Sequence, residues 1–454
     1  VAFQEALKLL RFGTSGVRGV VGQTFTPGLV VDLAESFATY LDGGTVLVGR
    51  DTRWSSPMVR SAVVAALMGA GCSVLDLGVC PAPILQFLVR RRSAAGAISV
   101  SGGHNDADWN AITFINADGI HLNVHEGEEV LDIYHSGERR RAPWDSLGSL
   151  EGLDNYRAEY FDALCALLDA DLIRRAGFGV IVDPCNGAGA GIVDEFFDRL
   201  GCRLVPINNE PNGVFPHDPE PRPRNARQVA SVIKPVGGDI GFLLNSDVTR
   251  VSIISEVGET VTEEYTFPLV ADYVLGRTPG TVVSNLSTTR TLDDVAARHG
   301  CRLVKTLIGQ SHSIAAMLNE EAVIAGEGSG GVAVAAFQPA FDAFLTMGLM
   351  LEKMARTGRK ASELVDDLPR YHIRKRKIYC PSHRVYAAVD EVHAHYAELS
   401  ADTTDGIRVE WPDGWLHIRA SATEPLVRVI AEATSDETAQ ERVDHAADII
   451  SQAI

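Results

Sequence analysis

Gly96-Ala-Ile-Ser-Val-Ser-Gly-Gly-His-Asn-Asp-Ala-Asp-Trp-Asn-Ala-Ile-Thr-Phe114 is the stretch on which the reading of this chain turns. An apolar run empties into the small-residue turn Ser101-Gly102-Gly103, and His104, Asn105, Trp109 and Asn110 follow. Apolar residues leaving through glycines into polar side chains predict a buried strand that ends at a ligand-facing loop. The same design recurs on either side. Thr45-Val-Leu-Val-Gly-Arg-Asp51 is a second strand with a glycine exit, followed by a helix start at Ser55 or Ser56 with Pro57 in its first turn. Residues 71–77 supply a further strand, and Arg11-Phe-Gly-Thr-Ser-Gly-Val-Arg-Gly19 crowds glycines around two arginines. Strands alternating with helices, with glycine at the strand exits, predict an α/β domain whose ligand lies at strand ends.

Farther along, Gly179-Val-Ile-Val-Asp-Pro-Cys-Asn-Gly-Ala-Gly189 repeats the strand-to-glycine turn after a bridging helix at about 153–168. Residues 208–225 are proline-rich and predict an irregular surface run, with Arg222 and Arg224 on a solvated rim. Residues 241–254 read as a strand, a polar loop and a returning strand, and Thr281-Val-Val-Ser-Asn-Leu-Ser-Thr-Thr-Arg290 as a strand ending in a polar turn. From about Arg370 the pattern changes to alternating strands around 411–418 and 427–432, closed by a helix from about Ser435. The boundaries expected are 1–152, 153–258, 259–369 and 370–454: three α/β units with mixed sheets and a C-terminal α+β unit.

At 454 residues the chain exceeds one hydrophobic core. A net charge of -18 disfavours phosphate-backbone binding as a general activity, so neither DNA nor RNA is expected as a partner. The seven cysteines are scattered, without a C-x-x-C pair, which predicts reduced thiols in a cytoplasmic setting. No secretory pattern is legible. Residues 331–351, the most apolar long segment, carry Pro339 and Asp342 and are expected as a buried core helix rather than a membrane span.

Taken together, Phe12-Gly-Thr-Ser-Gly-Val-Arg-Gly19, Gly49-Arg-Asp-Thr-Arg53, Asp183-Pro-Cys-Asn-Gly-Ala-Gly189, Gly213-Val-Phe-Pro216 and Arg419-Ala-Ser-Ala-Thr-Glu-Pro-Leu-Val-Arg428 resemble, in this order and over essentially the whole chain, the phosphohexomutases. That group comprises phosphoglucomutase, phosphomannomutase and phosphoglucosamine mutase. The resemblance implies four domains around a central cleft, each lending one loop.

The family's first loop, Thr-Ala-Ser-His-Asn-Pro, carries a phosphoserine, and its later Asn-Gly-x-Lys supplies a lysine for proton transfer. Here Gly103 stands at the serine position, beside His104 and Asn105, and Thr113 stands at the lysine position. Glycine has no nucleophile and threonine does not titrate near neutrality. The magnesium loop, Asp-Gly-Asp-Ala-Asp-Arg in the family, reads Asn245-Ser-Asp-Val-Thr-Arg250. Asp247 and Arg250 persist while Asn245 and Thr249 replace two carboxylates, so weak residual Mg2+ binding is the most that is expected. In the sugar loop, Gly326-Glu-Gly-Ser-Gly-Gly331 keeps Glu327 and Ser329 but has Gly331 for a histidine, which predicts a roomier sugar pocket. The phosphate loop keeps Arg419, Ser421, Thr423 and Arg428, a set of bidentate and hydroxyl donors suited to a phosphate dianion.

Three functions fit these residues. One is a sugar-phosphate-binding protein or pseudoenzyme, and this is the reading preferred. Another is altered phosphosugar chemistry in which Ser101, His104 or Asp247 becomes acceptor or base. The third is a residual intramolecular phosphotransferase.

Overall fold

The computed structural model describes residues 11–13, 16–381, 383–396, 399, 401–420 and 426–454. The chain divides into two compact units, one of residues 1–266 and 329–365, the other of 267–328 and 366–454.

In the first unit, β1 (Arg11–Gly13), β2 (Gly16–Val20), β3 (Thr45–Arg50), β4 (Ser73–Val79), β5 (Gly96–Val100), β6 (Trp109–Ile115) and β7 (Leu150–Gly152) form a mixed sheet in the order β1-β2-β6-β5-β3-β4-β7. β3 runs parallel to β4 and β5, whereas β6 runs antiparallel to β5 and β2. β5 is buried at every residue, as its unbroken apolar run requires. Val46, Val48, Ile98, Ile112 and Phe114 pack into one core with Phe37 and Val63 from the helices Pro27–Tyr40 and Ser56–Gly69. Each such side chain contributes about 1.5–3 kcal/mol by leaving water. Thr26 accepts the Leu29 N–H and caps the first of these helices. The second starts where expected, but Ser55 does not cap it: its hydroxyl oxygen accepts from Asn110 Nδ2 at 2.8 Å instead.

A second sheet in the same unit has the order β11-β10-β8-β9, with β8 (Gly179–Asp183), β9 (Arg203–Pro206), β10 (Ile240–Leu244) and β11 (Val251–Ser255). β10 and β11 are antiparallel, and the 245–250 turn joins them as the sequence implies.

The apolar segment 331–351 departs from the single core helix expected of it. It holds the strand Gly331–Val334, a turn, and then the helix Ala343–Thr357, because Asp342 interrupts the run as an N-cap that accepts the Leu345 N–H. Tyr160 donates its hydroxyl to the same carboxylate at 2.6 Å, and burial raises the Asp342 pKa. Among the described residues no helix is long and apolar enough to cross a membrane.

The second unit contains parallel β12 (Val282–Asn285), β13 (Leu303–Thr306) and β14 (Ile324–Glu327), with β12 in the middle. It also contains an antiparallel sheet in which Leu426–Ala433 lies between His372–Tyr379 and Gly414–Ala420, with Ile407–Trp411 and Ala401–Asp402 beyond. Ser435 caps the closing helix Asp436–Ala453. Glu432 ties the turn after β12 to this sheet: its buried carboxylate accepts from Thr289 Oγ1, the Arg290 N–H and Trp415 Nε1. The chain is thus α/β with mixed sheets and an α+β C-terminal part.

Candidate functional site

The turn that leaves β5 is shaped by a residue far from it in sequence. Arg53 is 1% exposed, and its guanidinium donates to three successive features of the turn: Gly103 O at 3.0 Å, Asn105 O at 2.7 Å and Asp106 O at 2.5 Å. Its Nε donates to Asp51 Oδ2 at 3.0 Å. Asp51 in turn accepts the Ser56 hydroxyl at 2.6 Å and the Ser101 hydroxyl at 2.7 Å. A buried ion pair is tolerated when its remaining lone pairs and protons are satisfied, and here they are. Gly102 presses on the guanidinium, since a Cβ there would meet Arg53 Cζ at 2.7 Å. Ser101 is therefore occupied as an internal donor and is not presented as a phosphoryl acceptor.

From the facing turn, Ser246 donates to Gly103 O at 2.6 Å. Gly103 lies at φ +55°, and a side chain at this position would point toward Asp247, with Oδ2 3.1 Å from the ideal Cβ. His104 Nδ1 lies 3.1 Å from Arg250 Nη1. A guanidinium only donates, so Nδ1 is the acceptor and the proton of neutral His104 resides on Nε2. That hydrogen bond occupies the Nδ1 lone pair, which argues against His104 as a nucleophile. Thr113 sits on β6, opposite Gly16 on one side and Ser99 on the other.

Asn245, Asp247 and Thr249 lie together in the 245–250 turn. Asp247 Oδ1 accepts from Asn245 Nδ2 at 2.6 Å, Thr249 Oγ1 at 2.6 Å and the Thr249 N–H at 3.2 Å. The residues do not fit the magnesium that the resemblance implies: the one carboxylate left has an oxygen saturated by hydrogen-bond donors. Among the described residues no group of three or more His, Cys, Asp and Glu side chains could hold a metal ion.

The proline-rich segment is an irregular surface run, as expected, and it is also anchored as a strap. Gly213, at φ +72°, comes so close to the Thr52 carbonyl that a Cβ would lie 2.1 Å from it. Phe215 lies over the Arg53 guanidinium, 4.8 Å from ring centre to Cζ. His217 then anchors the strap: Nε2 is 3.1 Å from Asp183 Oδ2 and Nδ1 is 2.8 Å from Asp218 O. Burial pulls the imidazole pKa down, but the hydrogen bonds and charges of Asp183 and Cys185 together outweigh it and raise the value to about 11, so both ring nitrogens donate. Arg222 and Arg224 pair with Glu220 and Asp218 on the exposed rim, in keeping with the solvated role expected of them.

In the second unit, Arg419 and Arg428 are direct cross-strand partners. Like charges placed opposite one another destabilise a sheet. Burial lowers the Arg419 pKa, as does the charge of Arg428, against the opposing pull of Asp405 and Glu327. Its Nε is buried with no hydrogen-bond partner among the described residues. Glu327 is 4% exposed and accepts the Gly309 N–H at 2.9 Å. His417, on the same strand as Arg419, accepts the Ser287 hydroxyl at Nδ1 (2.7 Å) and faces Asp405 O through Nε2 (2.6 Å). Burial lowers its pKa to about 4, which leaves it neutral. Ser421 and Thr423 lie outside the described residues.

Ser329 and Gly331 fall in the first unit, with Ser329 half-buried. The extra room expected at Gly331 is absent. A Cβ there would meet the Phe341 ring at 2.4 Å, so the phenyl group already fills the space.

Four family models match consecutive parts of the chain. They are the phosphoglucomutase/phosphomannomutase alpha/beta/alpha domains I (9–141), II (158–258) and III (262–371) and the C-terminal domain (378–449). The chain belongs to the phosphoglucomutase/phosphomannomutase family. It is 33% identical over 452 residues to a phosphoglucomutase/phosphomannomutase of Thermococcus kodakarensis, covering 98% of this chain and 99% of the relative. A phosphoglucomutase/phosphomannomutase family protein from Burkholderia thailandensis superposes with a TM-score of 0.84 at 25% identity, over 99% of this chain and 98% of that one. The N-acetylphosphoglucosamine mutase of Aspergillus fumigatus, solved with GlcNAc-6P and magnesium, shares the fold at a TM-score of 0.62 and 14% identity, over 100% and 98% of the two chains.

Within this phosphohexomutase scaffold, sequence reasoning missed Arg53, Asp51 and Ser246 as the residues that shape the 101–106 turn. The string Gly49-Arg-Asp-Thr-Arg53 marked the family but gave no hint that its last residue reaches a turn fifty positions away. One signal was available: an arginine next to an aspartate in an otherwise apolar strand exit needs a buried partner.

Proposed function

We propose that this phosphohexomutase-family protein binds a phosphorylated hexose or related sugar phosphate and does not run the phosphoserine mutase reaction. The observation that carries the reading is the cross-strand pair of Arg419 and Arg428, with a buried Arg419 Nε lacking a hydrogen-bond partner among the described residues. Two cross-strand arginines are well suited to an anion, since bidentate N–H donors match a phosphate dianion. Ser421 and Thr423 would add hydroxyl donors, and Glu327 would read a sugar hydroxyl. The Aspergillus fumigatus mutase was solved with GlcNAc-6P, which supports the substrate class.

The mutase reaction needs an atom that accepts the phosphoryl group. Gly103 offers none, Ser101 is held by Asp51, and His104 Nδ1 faces Arg250. The name of the Thermococcus kodakarensis relative favours a second reading, a residual mutase. A cytoplasmic setting fits the seven free cysteines, and nucleic acid is not proposed as a partner.

Thermal shift and calorimetry with glucose 1-phosphate, glucose 6-phosphate, their N-acetylated analogues and glucose 1,6-bisphosphate test the proposal. At least one ligand should stabilise the protein, and Arg419→Ala should weaken it by about tenfold or more, given roughly 1.5–3 kcal/mol for a charged hydrogen bond. A panel without any stabilisation would sink the sugar-phosphate reading. Interconversion of 1- and 6-phosphates at an ordinary enzyme rate would instead support the mutase.

A further inference from the structure

The 245–250 turn carries an inference that does not depend on which sugar is bound. We propose that this turn is closed by its own hydrogen bonds in the place where the family's loop is closed around a divalent cation, and that the site works without one. The orientation of Asn245 decides it. The Arg250 N–H donates to Asn245 Oδ1 at 3.0 Å, which fixes the amide so that its NH2 group, not its oxygen, faces Asp247. Magnesium takes oxygen ligands at roughly 2.0–2.1 Å in a near-ideal octahedron. Here the amide oxygen is turned away to a backbone donor. The Thr249 hydroxyl spends its proton on Asp247 Oδ1 and accepts from Asn245 Nδ2 at 3.0 Å. A cation approaching Oδ1 would meet two side-chain donors and one backbone donor. Oδ2 alone, directed toward Gly103, does not make a binding set.

The turn is also over-determined. Val248 is buried at φ +64°, a left-handed conformation that is a marked outlier for a β-branched residue. Such strain persists only where the surroundings enforce it. They do: Val248 N–H donates to Asn245 O at 3.2 Å, Asn245 N–H to Arg250 O at 3.3 Å, and the Ala82 N–H to Asp247 O at 3.0 Å. The amide of Asn245 and the hydroxyl of Thr249 thus satisfy Asp247 as a metal would. The positive charge near Gly103 comes from Arg53, which is paired with Asp51, and from Arg250 beside His104, both fixed side chains rather than an exchangeable ion.

The test uses the ligand-free full chain, so it is separable from the sugar-phosphate reading. Mn2+ serves as the probe, followed by electron paramagnetic resonance, alongside melting temperature in EDTA and in Mg2+. The wild type should melt at the same temperature in both, and any Mn2+ it retains should be unaffected by Asp247→Asn. The double variant Asn245→Asp, Thr249→Asp restores three carboxylates. It should melt lower in EDTA, recover in Mg2+, and bind Mn2+ about tenfold or more tighter than wild type. Stoichiometric Mn2+ binding by the wild type that Asp247→Asn abolishes would overturn the proposal. So would a double variant as stable in EDTA as the wild type and indifferent to Mg2+. If the double variant does not fold, the wild-type comparison with Asp247→Asn still decides.

Discussion

Placing a serine at position 103 separates the loss of the nucleophile from the loss of its surroundings. The backbone there lies at φ +55°, where an L side chain costs about 1–2 kcal/mol. The new Cβ would lie 3.1 Å from Asp247 Oδ2, so the hydroxyl can donate to that carboxylate and regain roughly 1 kcal/mol. The two effects nearly cancel. Gly103→Ser should fold with a stability within about 1 kcal/mol of wild type, a shift of about 2–4 °C in melting temperature for a domain of 150–250 residues. Phosphorylating that serine is another matter. A phosphoryl group adds close to two negative charges, about 1.5–2 at pH 7. Like unit charges about 4 Å apart repel by roughly 4 kcal/mol near a protein surface. Asn245 and Thr249 bring no compensating cation, the nearby Arg53 is already paired with Asp51, and Arg250 is left to oppose Asp247. Intact-mass spectrometry after incubation with glucose 1,6-bisphosphate should therefore show no phosphoryl adduct on Gly103→Ser. Adding Thr113→Lys, Asn245→Asp and Thr249→Asp with Mg2+ is the combination expected to permit one. A stoichiometric adduct on the single variant, together with mutase turnover, would refute the argument that Asp247 and its neighbours obstruct the reaction.

Two further outcomes follow from buried charges. Arg53→Ala leaves the Asp51 charge unpaired in the interior and takes one donor from each of three carbonyls of the 103–106 turn, so chemical denaturation should show a loss of about 3–5 kcal/mol. A loss below about 1 kcal/mol would mean that the turn holds its shape unaided. The second concerns pH. His417 is kept neutral, with its pKa lowered to about 4 from 6.5, so the unfolded chain takes up a proton that the folded one refuses. Its contribution is intact above pH 6.5 and is lost as the pH falls toward 4, by about 2 kcal/mol between pH 7 and pH 5. His417→Gln keeps a donor for Asp405 O and an acceptor for the Ser287 hydroxyl, and should flatten the acid limb of the stability curve by that amount. An unchanged pH dependence in this variant would show that His417 is not the titrating group.

The strands and their glycine exits were legible because a buried strand needs an unbroken apolar run, as in Gly96–Val100, and a tight exit needs small residues. The five family strings were legible because each combines glycines, prolines or small polar residues whose composition is constrained locally. Residues 331–351 misled because hydropathy does not report direction of travel. The run is apolar throughout, and only Asp342, satisfied by Tyr160 from another element, marks where the helix begins. The Gly331 expectation failed for a related reason. Deleting a side chain opens space only if nothing else occupies it, and the identity of the occupant, Phe341, is a matter of tertiary packing. The proline-rich run is irregular surface as its composition says, because proline content reports local backbone. It says nothing of Phe215 lying on Arg53 or of His217 reaching Asp183.

The grip of Arg53 on the 103–106 turn has a consequence for how this turn can change. It holds carbonyl oxygens, and every residue type has one, so this part of the turn's support does not depend on the side chains at 103 and 106, while Ser101 and Asn105 add side-chain bonds of their own. A nucleophile can be removed or exchanged at 103, and the side chain at 106 traded, without the turn losing the grip of Arg53. Shape and chemistry are stored in different residues. A turn built in this way can change its chemistry while remaining fully folded, and it offers a fixed frame on which new side chains can be presented.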